Sequence, residues 1–221
     1  VALDAIAKDE QARVVVISAK GRAFCAGHDL REMRASPSLE YYKTLFHQCT
    51  RMMMSVQRLP VPVMAVVDGI ATAAGCQLVA MCDLAVASQT SKFAVSGVNL
   101  GLFCATPSVE LSRNLSRKAA FEMLVTGDFI SAEQALVKGL VNSVVPSAEL
   151  EAMQSVYVSS ILAKPQKAIA IGKKLFYEQL EQPIEAAYLN AENAMACNMM
   201  DDSALEGVQA FIDKRKPAWK P

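Results

Sequence analysis

Pro62-Val63-Met64-Ala65-Val66-Val67-Asp68-Gly69, running on into Ala71-Thr72-Ala73-Ala74-Gly75-Cys76-Gln77, is the stretch that sets the fold class of this chain. The apolar residues Val63–Val67 show no polar alternation, so they read as a strand buried on both faces, and Asp68-Gly69 closes it with a turn. The small residues of Ala71–Met81 then read as a helix. Upstream, Arg13–Ser18 contains a second run of this kind, Val14, Val15, Val16 and Ile17. Downstream, Asp83–Ala87 and Lys92–Val95 read as shorter strands. Between the two long runs, Tyr42, Leu45, Phe46, Cys49, Met52, Met53 and Val56 recur at helical spacing. That helix runs from about Leu39 to Leu59, opened by Pro37-Ser38 and stopped by Pro60 and Pro62. Strands separated by helices predict right-handed crossovers, a mainly parallel sheet and an α/β fold.

The end of the chain reads differently. Ser131 and Gln134 form a capping box, Gly139 ends the helix they start, and Val141–Val145 is a strand closed by Pro146. Helical patterns follow at about Ala148–Ala163, Gln166–Leu180, Ile184–Cys197 and Leu205–Lys216. The predicted organisation is therefore a core over residues 1–146 and a helical region over 147–221. The opening residues Val1–Ala7 read as an amphipathic helix that starts without an initiator Met, so the chain is expected to lack a natural N-terminal part.

Composition narrows the function classes. Lys and Arg total 22 against 22 Asp and Glu, so no basic footprint for nucleic acid or an acidic membrane surface is expected. No apolar run approaches the roughly 18–20 residues that span a bilayer. The cysteines at 25, 49, 76, 82, 104 and 197 include no Cys-x-x-Cys pair, and the two histidines, His28 and His47, sit in no metal-like grouping. Free thiols are expected, with no metal and no resident cofactor.

Two glycine-containing turns follow predicted strands, Ala26-Gly27-His28-Asp29 and Ala71–Gln77. Small residues there let a ligand approach the backbone, and the first N–H groups of a helix are unpaired donors at the positive end of its dipole. A pair of such donors makes an oxyanion hole; packing and turn formation are the competing uses of the same residues.

In combination, these motifs resemble the crotonase (enoyl-CoA hydratase/isomerase) family. Gly21-Arg22-Ala23-Phe24-Cys25-Ala26-Gly27-His28-Asp29-Leu30, Pro62–Gly69 and Ala74-Gly75-Cys76-Gln77-Leu78 with Cys82-Asp83 carry the resemblance. Thr126-Gly127-Asp128, Ile130-Ser131-Ala132, Gly139-Leu140-Val141 and the terminal Glu206-Gly207 to Lys214-Arg215-Lys216 extend it along the chain. The branch most similar is that of the enoyl-CoA hydratase domain-containing proteins.

The resemblance implies a β-β-α superhelical core, C-terminal helices that build a homotrimer or a dimer of trimers, and an acyl-CoA ligand of fatty acid metabolism. It implies that the main-chain N–H groups of His28 and Ala74 hold the thioester oxygen. It also places Ala26, Asp29 and Leu30 at the coenzyme A pocket, with Arg22 and Arg31 near the phosphates. Phe211 and Lys214 match positions that reach a neighbour's pocket. The implied compartment is the cytoplasm or the mitochondrial matrix.

Two positions depart from the hydratase pattern, which uses two glutamates to position water and move a proton. Gln77 and Gly97 stand in their places. Gln does not exchange a proton near neutral pH and Gly has no side chain, so efficient hydration is not expected. The alternatives are slow or altered thioester chemistry, of lyase or isomerase class, and a CoA-ester binding or regulatory protein without turnover. A related serine protease of the caseinolytic type is disfavoured, because no Gly-x-Ser-x-Gly elbow occurs. Of the remaining candidates, His28 reads as pocket-lining, Asp29 as a cap and Glu110 as an exposed helical residue. His47, beside Phe46 and Cys49, reads as a core or boundary histidine, and Met52-Met53-Met54 as adaptable core or acyl-pocket lining.

Overall fold

The computed structural model describes residues 2–219; Val1, expected to begin the first helix, lies outside them. In order, the elements are α1 (Ala2–Ile6), β1 (Val15–Ser18), β2 (Ala23–Cys25), α2 (Leu30–Ala35), α3 (Leu39–Arg58), β3 (Val63–Val67), β4 (Ile70–Thr72), α4 (Ala74–Met81), β5 (Leu84–Ser88) and β6 (Lys92–Ala94). After a short 3-10 turn at Ser96–Leu100 come α5 (Ala105–Asn114), α6 (Arg117–Thr126), β7 (Ile130–Ser131), α7 (Ala132–Lys138) and β8 (Ser143–Val145). The chain ends in α8 (Leu150–Leu162), α9 (Gln166–Leu180), α10 (Ile184–Met199) and α11 (Asp202–Ile212). It divides into two compact units. One holds residues 16–57 and 63–156; the other holds the described residues of 1–15, 58–62 and 157–221.

In the first unit the strands form two four-stranded sheets, ordered β1-β3-β5-β8 and β2-β4-β6-β7, rather than the one mainly parallel sheet expected. Most pairs are parallel, and β6 with β7 is antiparallel. Of the second sheet only β6 was expected, as Lys92–Val95; β2, β4 and β7 escaped the pattern reading because they are only two or three residues long, too short to show a period. Ala23–Cys25 lies inside what read as a loop, and Ile70–Thr72 is a strand where a helix from Ala71 was expected. Backbone pairing with β2 and β6 on either side outweighs the helix preference of Ala71.

Every residue of β3 is buried, as its apolar run implies. β1 is only half-buried although equally apolar, because it is an edge strand with a single neighbour. Polar side chains tie the strands of this core to the segments beside them. Asp83 Oδ2 accepts from Val63 N at 2.6 Å, and Asn142 Oδ1 accepts from Ala85 N at 2.7 Å. Ser91 Oγ, fully buried, donates to Val67 O at 3.0 Å. The capping box of Ser131 and Gln134 is present in both directions, and Gly139 ends α7 in the left-handed conformation.

The second unit is helical and clasps the start of the chain. Arg13 Nη2 donates to Lys164 O at 2.6 Å, Gln166 Nε2 donates to the carbonyls of Glu10 and Ala12, and Lys173 Nζ donates to Val61 O. Neither α9 nor α10 has a fully buried residue. Phe176, Ile184, Tyr188, Leu189, Met195 and Phe211 are all more than half exposed.

Candidate functional site

Parallel pairing of β2, β4 and β6 brings the loops that follow them out at one edge of the small sheet. Cys25 lies opposite Ala71, and Thr72 lies opposite Ala94. Three segments therefore converge: Ala26–Asp29, Ala73–Ala74 and the residues from Ser96 onward. Thr72 Oγ1 and Ser96 Oγ are 3.3 Å apart, and Ala73 N donates to Ala94 O at 3.0 Å, tying the second segment to the third.

Between these segments lies a cavity of about 560 Å³. Ala26, His28, Asp29, Leu30, Arg31 and Ala74 all contribute to its lining, so one wall unites six of the residues singled out from sequence. Arg22 is exposed and is not among the lining residues. Phe211 and Lys214 lie on the helical unit, both exposed. Glu110 is half-buried on α5 and also stands apart from the lining. His47, expected in the core or at its boundary, is exposed: it faces outward on α3, one residue away from the side that presents Phe46.

The approach of the first two segments depends on Gly27, whose φ of +90° suits glycine. A Cβ at Gly27 would stand 3.2 Å from Ala74 N and 3.1 Å from Ala73 Cβ. The peptide leading into His28 therefore runs directly alongside the start of α4. Ala73 holds φ 52° and ψ −121°, a strained conformation for a residue with a side chain. It turns the chain so that α4 begins at the cavity. Among the described residues, neither the N–H of His28 nor that of Ala74 donates to a protein acceptor.

Asp29 caps α2, its Oδ1 accepting from Arg31 N at 2.8 Å and Glu32 N at 3.3 Å, which steadies the first segment. The His28 ring meets Phe46 edge-on, centroids 5.7 Å apart, and Phe46 stacks on Tyr42. His28 thus lines the cavity against an aromatic wall.

The opposite wall went unrecognised in the sequence. Leu100, Leu102, Phe103, Cys104, Thr106 and Pro107 line it, from a loop between Gly101 and the first turn of α5. An apolar Leu102-Phe103-Cys104 run in a loop, between Gly101 and Pro107, was the available signal. Gly97 is buried behind this loop, and a Cβ there would lie 2.4 Å from Leu102 O and 2.7 Å from Cys104 Sγ. Gln77 is 4% exposed on α4, and its Oε1 has no hydrogen-bond partner among the described residues.

The family model for enoyl-CoA hydratase/isomerase matches residues 1–221. The chain belongs to that family. A curated crotonase relative, the mitochondrial enoyl-CoA hydratase domain-containing protein 3 of Mus musculus, is 47% identical over 213 residues, 96% of this chain and 71% of the relative. The Homo sapiens protein of that name is 46% identical over 94% of this chain and 68% of its own length. Among solved crotonase structures, an enoyl-CoA hydratase of Mycobacterium smegmatis superposes with a TM-score of 0.97 at 62% identity, covering 99% of this chain and 85% of that one. Human enoyl Coenzyme A hydratase domain-containing protein 3 superposes with a TM-score of 0.93 at 44% identity, covering 98% and 88%. The α/β crotonase fold expected from the motifs is thereby established. No helix among the described residues is long and apolar enough to cross a membrane.

Proposed function

We propose that the cavity binds an acyl-CoA thioester with its carbonyl oxygen between the N–H groups of His28 and Ala74. The observation that carries this reading is the contact at Gly27, which brings the residue before His28 against Ala74 N, the two main-chain donors having no protein acceptor among the described residues. Each donor of such a pair contributes about 3–4 kcal/mol to a transition state in which negative charge develops on that oxygen. Apolar side chains from Leu30, Phe46, Leu102 and Phe103 suit the acyl chain, and the Arg31 guanidinium suits a phosphate of the coenzyme.

Hydration of an enoyl thioester also needs groups that take and give a proton. Gln77 cannot do so, and at position 97 the space that a side chain would enter is filled by Leu102 O and Cys104 Sγ. On the family pattern, the place of the second acid falls where this loop puts Leu102 O and Cys104 Sγ, which supports the reading that no carboxylate acts there. Chemistry of the lyase or isomerase kind would therefore run slowly or along another course. The same two positions favour the second reading, a CoA-ester binding protein without turnover. The exposed apolar side chains of the helical unit support self-association as a homotrimer or dimer of trimers. The mitochondrial relatives support the mitochondrial matrix over the cytoplasm as this chain's compartment.

The test is incubation of the protein with short and medium enoyl-CoAs, following the enoyl chromophore, alongside calorimetric titration with saturated acyl-CoAs. Binding without hydration at rates of about 10 per second or more supports the reading. Hydration at that rate would show that the missing acids are replaced; absence of binding would end the proposal.

A further inference from the structure

The acid-free wall of the cavity carries a nucleophile that the proposed function leaves unused. Cys104 is the N-cap residue of α5, 7% exposed, and lines the cavity. Its Sγ accepts the N–H of Gly97 at 3.3 Å and lies 2.7 Å from where the first side-chain atom of residue 97 would stand. The sulfur has thus taken the ground that a carboxylate at position 97 would need. The same cavity is lined by His28 and Ala74, whose N–H groups are engaged by no protein acceptor among the described residues. Of the other two cysteines near this region, Cys76 is wholly buried, its thiol pushed up to about 12 chiefly by burial and then by Cys104; Cys25 is half-buried, and neither lines the cavity.

We infer that Cys104 captures an α,β-unsaturated acyl-CoA by conjugate addition, forming a covalent β-thioether. The inference rests on the acyl-CoA reading above and names its substrate class. A thiolate sulfur is a strong, soft nucleophile and adds to an electron-poor alkene in preference to the thioester carbonyl. The carbonyl oxygen, polarised by the two N–H groups, accepts the displaced electron pair. The sulfur–Cβ bond forms, the Cα=Cβ π bond breaks, and the enolate oxygen is held by His28 N–H and Ala74 N–H. The proton that leaves the thiol ends on Cα, collapsing the enolate back to the thioester. Nothing is oxidised, nothing leaves, and coenzyme A stays attached. Gln77, without an exchangeable acid proton, does not activate water for the β carbon.

Intact-protein mass spectrometry after incubation with crotonyl-CoA, quenched in acid, reads the result directly. One added mass of crotonyl-CoA is expected, mapping to the peptide that contains Cys104. Butyryl-CoA, which lacks the alkene, binds in calorimetry and leaves no adduct. Cys104→Ser and Cys104→Ala both lose the adduct and keep the wild-type circular dichroism spectrum. An adduct that survives in both variants, maps to Cys25, or fails to form although butyryl-CoA binds overturns this inference alone. Failure of butyryl-CoA to bind the wild type overturns the acyl-CoA reading and takes this inference with it.

Discussion

The two walls of the cavity have been shaped by opposite demands. On one wall, the donor wall of our proposal, Gly27 and the strained Ala73 set the backbone of two loops side by side, and a side chain at Gly27 would press on Ala73 and Ala74. On the other, the space beside Gly97 is filled by Leu102 O and Cys104 Sγ, so any side chain at position 97 meets both. The contrast teaches that main-chain donors are placed by backbone conformation alone, whereas what fills the space at position 97 depends on which side chains and carbonyls pack there.

The sharpest way to overturn that contrast is to return an acid to the remade wall. Gly97→Glu forces a Cβ to 2.4 Å from Leu102 O and buries a carboxylate, so we expect a loss of about 3 kcal/mol in urea denaturation and no gain in hydration. A variant as stable as wild type and newly active would show that the loop yields easily.

A smaller effect is expected on the donor wall. Gly27→Ala places a methyl group 3.2 Å from Ala74 N at a φ of +90°, which costs about 1–3 kcal/mol of stability and parts the two donors. Calorimetry is expected to show roughly tenfold weaker binding of butyryl-CoA, about 1.4 kcal/mol. Unchanged affinity in a folded variant would remove Gly27 from the argument.

The least effect falls outside the cavity, in the helical unit, which has ion-paired carboxylates where the cavity wall has none. Lys167, above all, and Ser203 hydrogen-bond the Asp201 carboxylate and hold it at about 2, below its usual 3.8. Arg215 does the same for Glu206, which drops from 4.5 to about 2. A carboxylate depressed in the folded state stabilises it above the unfolded value, and that contribution is lost as pH falls through the folded value. Both carboxylates are half-buried, but their partners Lys167 and Arg215 are exposed, so solvent screens the pairs and the gain is modest. The single tryptophan reports on them, since Trp219 packs against Gly207 next to Glu206. Its fluorescence is expected to hold steady from about pH 7 to 5 and to change between about pH 4.5 and 2. A transition complete above pH 5 would assign the packing to other forces.

Much of this architecture was readable beforehand where a single segment carries its own signal. Long runs such as Val63–Val67, the capping box of Ser131 and Gln134, and the helices from Gln166 and Ile184 lie where their patterns place them. The cap at Asp29 and the pocket-lining place of His28 were legible for the same reason. Short strands defeated the reading, because Ala23–Cys25 and Ile70–Thr72 owe their conformation to neighbours distant in sequence. His47 illustrates the same limit: one residue's shift around α3 separates an exposed ring from the wall that Phe46 builds.

Order along the chain was enough to establish a crotonase-type α/β chain and to point to its two glycine-containing turns, since both are written in residue identity and spacing. Residue identity said that position 97 has no side chain; it did not say what stands there instead. That a thiol and a carbonyl occupy the space, facing two main-chain donors across one cavity, follows from three loops meeting at the end of a parallel sheet. Such meetings depend on packing between segments far apart in sequence, and no local pattern encodes them.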